Sequence, residues 1–276
     1  MQKRDLDYLK SKARAVREGI VRAIGVDQKG HLGGSMSSAD LVTALYFYKM
    51  RHWPDDPKNP DRDRFIFSKG HSVLAQYAAL AECGYFPAEA LPTTKQLGSF
   101  LQGHPERDRT PGIEANTGSL GQGLSIGLGM ALAARLDKRD YKVYVIVGDA
   151  ELAEGQIWEA VTAASFYRTD NLIAIVDHNK MQATGPIVQL YDVGAVGKKF
   201  ASFGWRVLEI DGHDMEAVVD ALDAADISTG QPVAIVAHTV KGKGVSFAEN
   251  VASFHNGALT REQYQQALRE IAHNEV

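Results

Sequence analysis

The chain has 276 residues, 45% of them hydrophobic and 23% charged, with a formal net charge of −4. This is enough apolar material for one substantial core, and the mild negative charge argues against nucleic acid or an anionic membrane as a partner. A single cysteine, Cys83, rules out an internal disulfide, and no Cys/His spacing suits a metal, so the cytoplasm is the expected compartment.

The start, Met1-Gln-Lys-Arg-Asp5, is basic but leads into no apolar h-region, which argues against secretion. Leu6, Leu9, Ala13, Val16, Ile20 and Ile24 recur with helical spacing and predict an amphipathic helix over 5–24. A second helix is expected from Ser38, and then a loop over 51–60, broken by three prolines. Phe65-Ile66-Phe67 reads as a short buried strand, with Gly70-His71 turning into a helix over 72–83. Residues 84–118 are turn-rich, and an irregular stretch of that length in a compact domain is usually functional. Then come helix 120–136, strand 143–147, helix 155–167, strand 172–177, a mobile-looking loop to about 198, strand 205–210, helix 215–226, strand 233–237 and a helix from Thr260. The apolar span from Gly118 to Leu136 is interrupted by Gln122 and several glycines and does not read as transmembrane. No linker or repeat divides the chain. Residues 1–276 are expected to form one α/β domain, a parallel sheet with helices on both faces.

Two of these strands carry polar residues at their ends. Val143-Tyr-Val-Ile-Val147 runs into Gly148-Asp149, and Leu172-Ile-Ala-Ile-Val-Asp177-His runs into Asn179, 30 residues beyond Asp149. Apolar runs separated by one helix indicate a parallel βαβ unit, so Asp149 and Asn179 should emerge together at the carboxyl ends of adjacent strands. Carboxylate and amide oxygens are hard donors suited to Mg²⁺ or Ca²⁺, and such a cation would carry a phosphorylated ligand. On spacing alone, the two residues serve equally well as caps for the segments that follow.

The surrounding residues favour the ligand. Gly148-Asp-Ala-Glu-Leu-Ala-Glu-Gly155 followed by Asp177-His-Asn-Lys-Met181 resembles the thiamine-diphosphate motif in its transketolase form. Further stretches match transketolases in the expected order: Lys29-Gly-His31-Leu-Gly-Gly-Ser35, Asp63-Arg-Phe-Ile-Phe-Ser-Lys-Gly-His71, Gly103-His104-Pro-Glu106 running into Thr117-Gly-Ser-Leu-Gly-Gln-Gly123, Ile210-Asp-Gly-His-Asp214 and Val240-Lys-Gly-Lys-Gly-Val245. The resemblance implies that Asp149, Asn179 and the Met181 carbonyl ligate the metal, that Gly148 and Ala150 border the diphosphate, and that Gly118 and Leu120 border the cofactor rings. His71 would lie near the diphosphate, while His31 and His104 would face sugar hydroxyls, where imidazole suits proton transfer near neutral pH. His255 is a weaker candidate, because full-length members often carry two histidines here and the other position is Ala252. His213 is expected to be structural. Glu154 would lie buried at a dimer interface in a relay between two sites, although Glu154 and Glu159 also suit a helix start by charge alone. The motif's second glycine is Ala150, whose N–H can serve a diphosphate only if its φ is negative. Gly123 and Gly127, four apart, give helix 120–136 a smooth face for close packing.

The same resemblance implies two-carbon ketol transfer from a ketose to an aldose, phosphorylated or not, with thiamine diphosphate as electron sink. Full-length transketolases continue into a pyrimidine-binding domain and a third domain, so the chain reads as the N-terminal subunit of a split enzyme. Its expected partner is a C-terminal subunit carrying the pyrimidine half, joined in a heterotetramer. An unpaired domain should expose its cofactor face and helix 120–136, which also predicts self-association. The alternatives are one half of a deoxyxylulose-phosphate synthase-like enzyme, or a non-catalytic cofactor-binding or regulatory subunit.

Overall fold

Asp5 accepts a hydrogen bond from the Tyr8 N–H at 3.0 Å and so caps the first helix, α1 (Leu6–Ile24). The stripe predicted from helical spacing is its inward face: Leu9, Ala13, Val16, Ile20 and Ile24 are buried. The computed structural model describes residues 4–273; residues 1–3, the first part of the basic start, and 274–276, and with them both ends of the expected domain, lie outside the described residues. In chain order there follow β1 (Lys29–Gly30), α2 (Leu32–Ser37), α3 (Ala39–Ala44), β2 (Arg64–Phe67), α4 (Leu74–Glu82), α5 (Gln122–Leu136), β3 (Val143–Gly148), α6 (Gly155–Phe166), β4 (Leu172–His178), α7 (Ile187–Leu190), α8 (Val196–Ser202), β5 (Arg206–Asp211), α9 (Met215–Ala225), β6 (Val233–His238), β7 (Gly257–Ala258) and α10 (Arg261–His273).

Five strands form one parallel sheet in the order β2-β3-β4-β6-β5. Alternate residues feed two cores, as the period-2 geometry of a strand requires. Tyr144, Ile146, Ile173, Ile175 and Ile235 pack with α1, α3, α4 and α9, whereas Val143, Val145, Val147, Leu172 and Val176 pack with α5, α6 and α8. Strands buried on both faces read as unbroken apolar runs, which is why they were recognisable in the sequence. Among the described residues, no helix is long and apolar enough to cross a membrane.

The helix expected from Ser38 is present as α3, with Ser38 at its N-cap position; the Ser38 hydroxyl bonds back to the Gly34 carbonyl at 3.1 Å, and α3 runs on into a π-helical turn at Leu45–Lys49. Three points differ from expectation. The stretch before 198 is not a plain loop, since it holds α7 and α8. In α8 the two anchors Val196 and Phe200 are too few to show a period. The glycine face of α5 is not exposed: a Cβ on Gly127 would lie 2.6 Å from the Val145 side chain, and one on Gly123 would lie 2.7 Å from the Ser68 Cα. These glycines seat the helix on the sheet, while the opposite face, with Gly129 and the exposed Leu136, meets solvent. Lastly, β1 and β7 pair in a two-residue antiparallel ribbon that no alternation announced.

Candidate functional site

The parallel register places Gly148 opposite Asp177, so Asp149 and Asn179 leave adjacent strands side by side. Asp149 is 1% exposed; its two carboxylate oxygens accept the N–H groups of Ala150, at 2.7 Å, and Lys180. Burial, followed by the nearby Asp177 charge, pushes its carboxyl up to about 6. Asn179 is also buried. Its Nδ2 donates to Asp177 Oδ2 at 3.1 Å and to Ser37 Oγ at 3.4 Å, which turns Oδ1 the other way, where it accepts the Met181 N–H at 3.1 Å. The Met181 carbonyl accepts the Lys241 ammonium at 3.1 Å. A carboxylate, an amide oxygen and a main-chain carbonyl are thus carried by the segments that leave the ends of β3 and β4. This oxygen set fits a hard divalent cation, and one beside Asp149 would relieve the charge that burial disfavours.

Ala150 has negative φ and opens a 3-10 turn, Ala150–Ala153, so the alanine costs no backbone strain. Its N–H is engaged by Asp149, the residue that caps the turn.

The histidines come from distant segments and converge. The rings of His31, His71 and His255 lie 4.9, 5.1 and 5.3 Å apart, centroid to centroid. His31 Nδ1 is buried with no hydrogen-bond partner, an unmatched polar atom inside this histidine cluster. Burial, followed by neighbouring cationic groups, keeps these rings neutral: His31 falls to about 3, with His255 the next cause; His71 falls to about 2, with Lys69 next; His255 falls to about 4, with Lys241 next. His104 is the exposed member, and burial and Lys95 lower its pKa. It packs on Gly118, where an added Cβ would stand 2.8 Å from the imidazole. Gly70 similarly admits the Thr117–Gly118 backbone, since a Cβ there would lie 2.7 Å from the Gly118 nitrogen. Only glycine lets these two loops meet, and φ of +148° at Gly118 asks for glycine again. Leu120 lies half-buried in the same loop.

His213 is structural, as expected. Its Nε2 accepts the Val240 N–H at 2.8 Å, and its Nδ1 donates to Asp40, which also takes a two-point ion pair from the buried Arg17. Glu154 is open on this chain, as a residue that meets a second copy would be. Its side chain lies beside Gly121, and the buried acid of the segment is Glu151, which accepts the Gly121 N–H at 2.8 Å, the Gly148 N–H at 2.9 Å and the Ser68 hydroxyl.

Sequence reasoning assigned no role to Glu151 or to three other residues of the site. Lys69 is buried, pairs with Asp177 and donates to the Gly34 carbonyl at 2.8 Å. Asp177 is fully buried; burial raises its pKa, but Lys69 and hydrogen bonds from Ser37 and Thr239 outweigh that and hold it at about 2. Lys241 donates to His255 Nδ1 at 3.0 Å and is lowered to about 8 by burial and Lys69. The available signal was a lysine inside a glycine-rich turn, as in Ser68-Lys-Gly-His71 and Val240-Lys-Gly-Lys-Gly244.

Parallel strands ending in a cleft of neutral imidazoles and two buried lysines define a class of α/β domain that holds a phosphorylated cofactor at its strand ends. Residues 9–275 match the family described as "Transketolase, thiamine diphosphate binding domain". The chain is 43% identical to one subunit of the apulose-4-phosphate transketolase of Phocaeicola vulgatus, covering 97% of this chain and 95% of that protein. It is also 43% identical to a 6-deoxy-6-sulfo-D-fructose transketolase subunit of a Clostridium species, covering 98% of each. Against human transketolase it is 37% identical over 96% of its length but 42% of the longer protein. Its fold superposes on a transketolase mutant of Pichia stipitis with a TM-score of 0.91 at 32% identity, covering 98% of this chain and 41% of that one. The chain belongs to the transketolase family, as its thiamine-diphosphate-binding domain.

Proposed function

We propose that the whole chain acts as one diphosphate-binding domain, the N-terminal subunit of a two-subunit transketolase that moves a two-carbon ketol unit from a ketose to an aldose. The observation that supports this reading best is the convergence of His31, His71 and His255, joined through the Lys241 ammonium to the Met181 carbonyl beside Asn179. Thiamine diphosphate, when bound, supplies the electron sink for C–C bond cleavage. Asp149, Asn179 and the Met181 carbonyl hold Mg²⁺, or Ca²⁺ in its place, while Lys69 and Lys241 offset diphosphate charge beside Gly148 and Ala150. Gly118 and Leu120 border the cofactor rings. His71 orients the cofactor, and His31, His104 and His255 exchange protons with substrate hydroxyls, a role for which neutral imidazoles are prepared. Glu154 serves a contact with a second copy of the chain, consistent with its exposed position.

Two relatives of matching length are named for sugars with a phosphate or sulfonate end, which favours an anionic sugar here. Both are named as subunits, which supports a partner chain; we take that partner to carry the pyrimidine half and the assembly to be a heterotetramer of two copies of each. The half-buried lone thiol of Cys83 suits the cytoplasm. The test is a steady-state assay with xylulose 5-phosphate and ribose 5-phosphate, with the chain alone and mixed with a pyrimidine-domain subunit. Turnover only in the mixture is expected; a normal enzymatic rate from the isolated chain would refute the split-subunit reading.

A further inference from the structure

Arg64, the first residue of β2, pairs with Val143, the first of β3, so both mark the end of the sheet opposite the cofactor cleft. A cavity of about 620 Å³ opens there, within the range of small-molecule sites. Its cationic side chains are Lys58, Arg62 and Arg64, from the approach to β2, and Arg107 and Arg109, from the long irregular stretch. Only two acids, Asp108 and Glu114, line it as well. A chain of net charge −4 therefore concentrates an excess of positive charge in one concave place. The imbalance extends inward. Glu114 is the one carboxylate shared by Arg62, in direct contact, and Arg64, whose Nε lies 4.0 Å away. Arg64 is otherwise satisfied, giving a hydrogen bond to the Pro60 carbonyl at 2.9 Å and lying over the Tyr141 ring, and Arg109 pairs with Glu106 outside the cavity. Arg62, paired with Glu114 and donating to the Pro57 carbonyl at 2.7 Å, is lowered to about 10 by burial and then by the neighbouring Arg64.

We propose that this cavity is a binding site for a small phosphate ester, separate from the cofactor cleft. Guanidinium forks match phosphate oxygens in pairs; Arg107 and Arg109 line the cavity and are exposed, with Arg109 engaging Glu106 through Nε at 2.7 Å. The concave shape favours a small ligand over a protein segment. The proposal does not depend on the transketolase reading.

Inorganic phosphate is the probe, titrated into the full chain by calorimetry with and without saturating thiamine diphosphate and Mg²⁺. Phosphate binding that survives the cofactor and weakens roughly tenfold or more in Arg107→Ser/Arg109→Ser would support the site. Both positions are exposed, so the fold should persist by circular dichroism, and Lys58→Glu serves as an independent surface variant with the same expected loss. If the cofactor itself fails to bind, the double variant alone decides. Phosphate affinity unchanged in these variants, or abolished by the cofactor, would overturn the proposal. So would capture of a polyglutamate peptide with no phosphate binding, because the cavity would then belong to an acidic protein segment.

Discussion

The strand-end pocket and the imidazole cleft above it are built on different principles. Asp149, Asp177 and Asn179 stand on or just beyond β3 and β4, are nearly inaccessible, and are locked by Lys69, Ser37 and backbone N–H groups. His31, His71, His104 and His255 come from turns and a loop and are half-buried or exposed; the first, second and fourth meet ring to ring, while His104 packs on Gly118. The pocket is preorganised by the sheet. The cleft is assembled by chain segments far apart in sequence and leaves one buried polar atom, His31 Nδ1, unmatched. The difference separates binding from turnover: damage to the pocket should remove the cofactor, and damage to the cleft should slow the reaction.

The sharpest break would come from Asp149→Ala. Cation-dependent thiamine-diphosphate binding should be lost, by more than the roughly 10–100-fold that removal of a residue merely supporting a metal ligand costs. The fold should survive, since the Asp149 side chain bonds only the two N–H groups beside it. Unchanged affinity by calorimetry would remove Asp149 from the site.

The cleft is probed by His104→Ala, expected to lower turnover of the reconstituted enzyme by about 10²–10⁴-fold with little change in cofactor affinity. His71→Ala should weaken the cofactor as well. Wild-type rates in both variants would defeat these roles.

Asp177→Ala tests the lock itself. It leaves the Lys69 ammonium buried without its partner, a change worth about 3–5 kcal/mol of stability. Chemical denaturation reads this directly, and a loss under about 1 kcal/mol would show that the sheet end does not depend on the ion pair.

The smallest effect is a pH dependence of the cleft. His31, His71 and His255 have folded-state pKa values below the ordinary 6.5, so the unfolded chain takes up protons that the folded chain refuses. Stability is therefore intact above 6.5 and is lost as pH falls from 6.5 toward the folded values, about 4 for His255. His71→Asn should flatten the fall of Tm between about pH 6.5 and 4.5, and an unaltered slope would contradict the neutral cleft.

Much of the molecule was legible without coordinates. The buried strands announced themselves as apolar runs, α1 by its period, and the Asp149–Asn179 juxtaposition followed from one crossover between parallel strands. The histidines were individually legible because each of His31, His71 and His104 follows a glycine. What was not legible depended on distance in space. Lys69 and Lys241 look like surface lysines in glycine-rich turns until the fold buries both beside Asp177 and His255. That Glu151 is buried within its own chain turned on the 3-10 geometry after Asp149, which directs it toward Gly121 and Gly148. Nor could the sequence say that the glycines of α5 face the sheet, since the helical period fixes which residues share a face but not which neighbour that face meets. Local periodicity and covalent spacing determined the elements and the strand-end pair. Burial, charge pairing and the meeting of distant loops were decided only in the tertiary structure, because each depends on what the rest of the chain packs alongside.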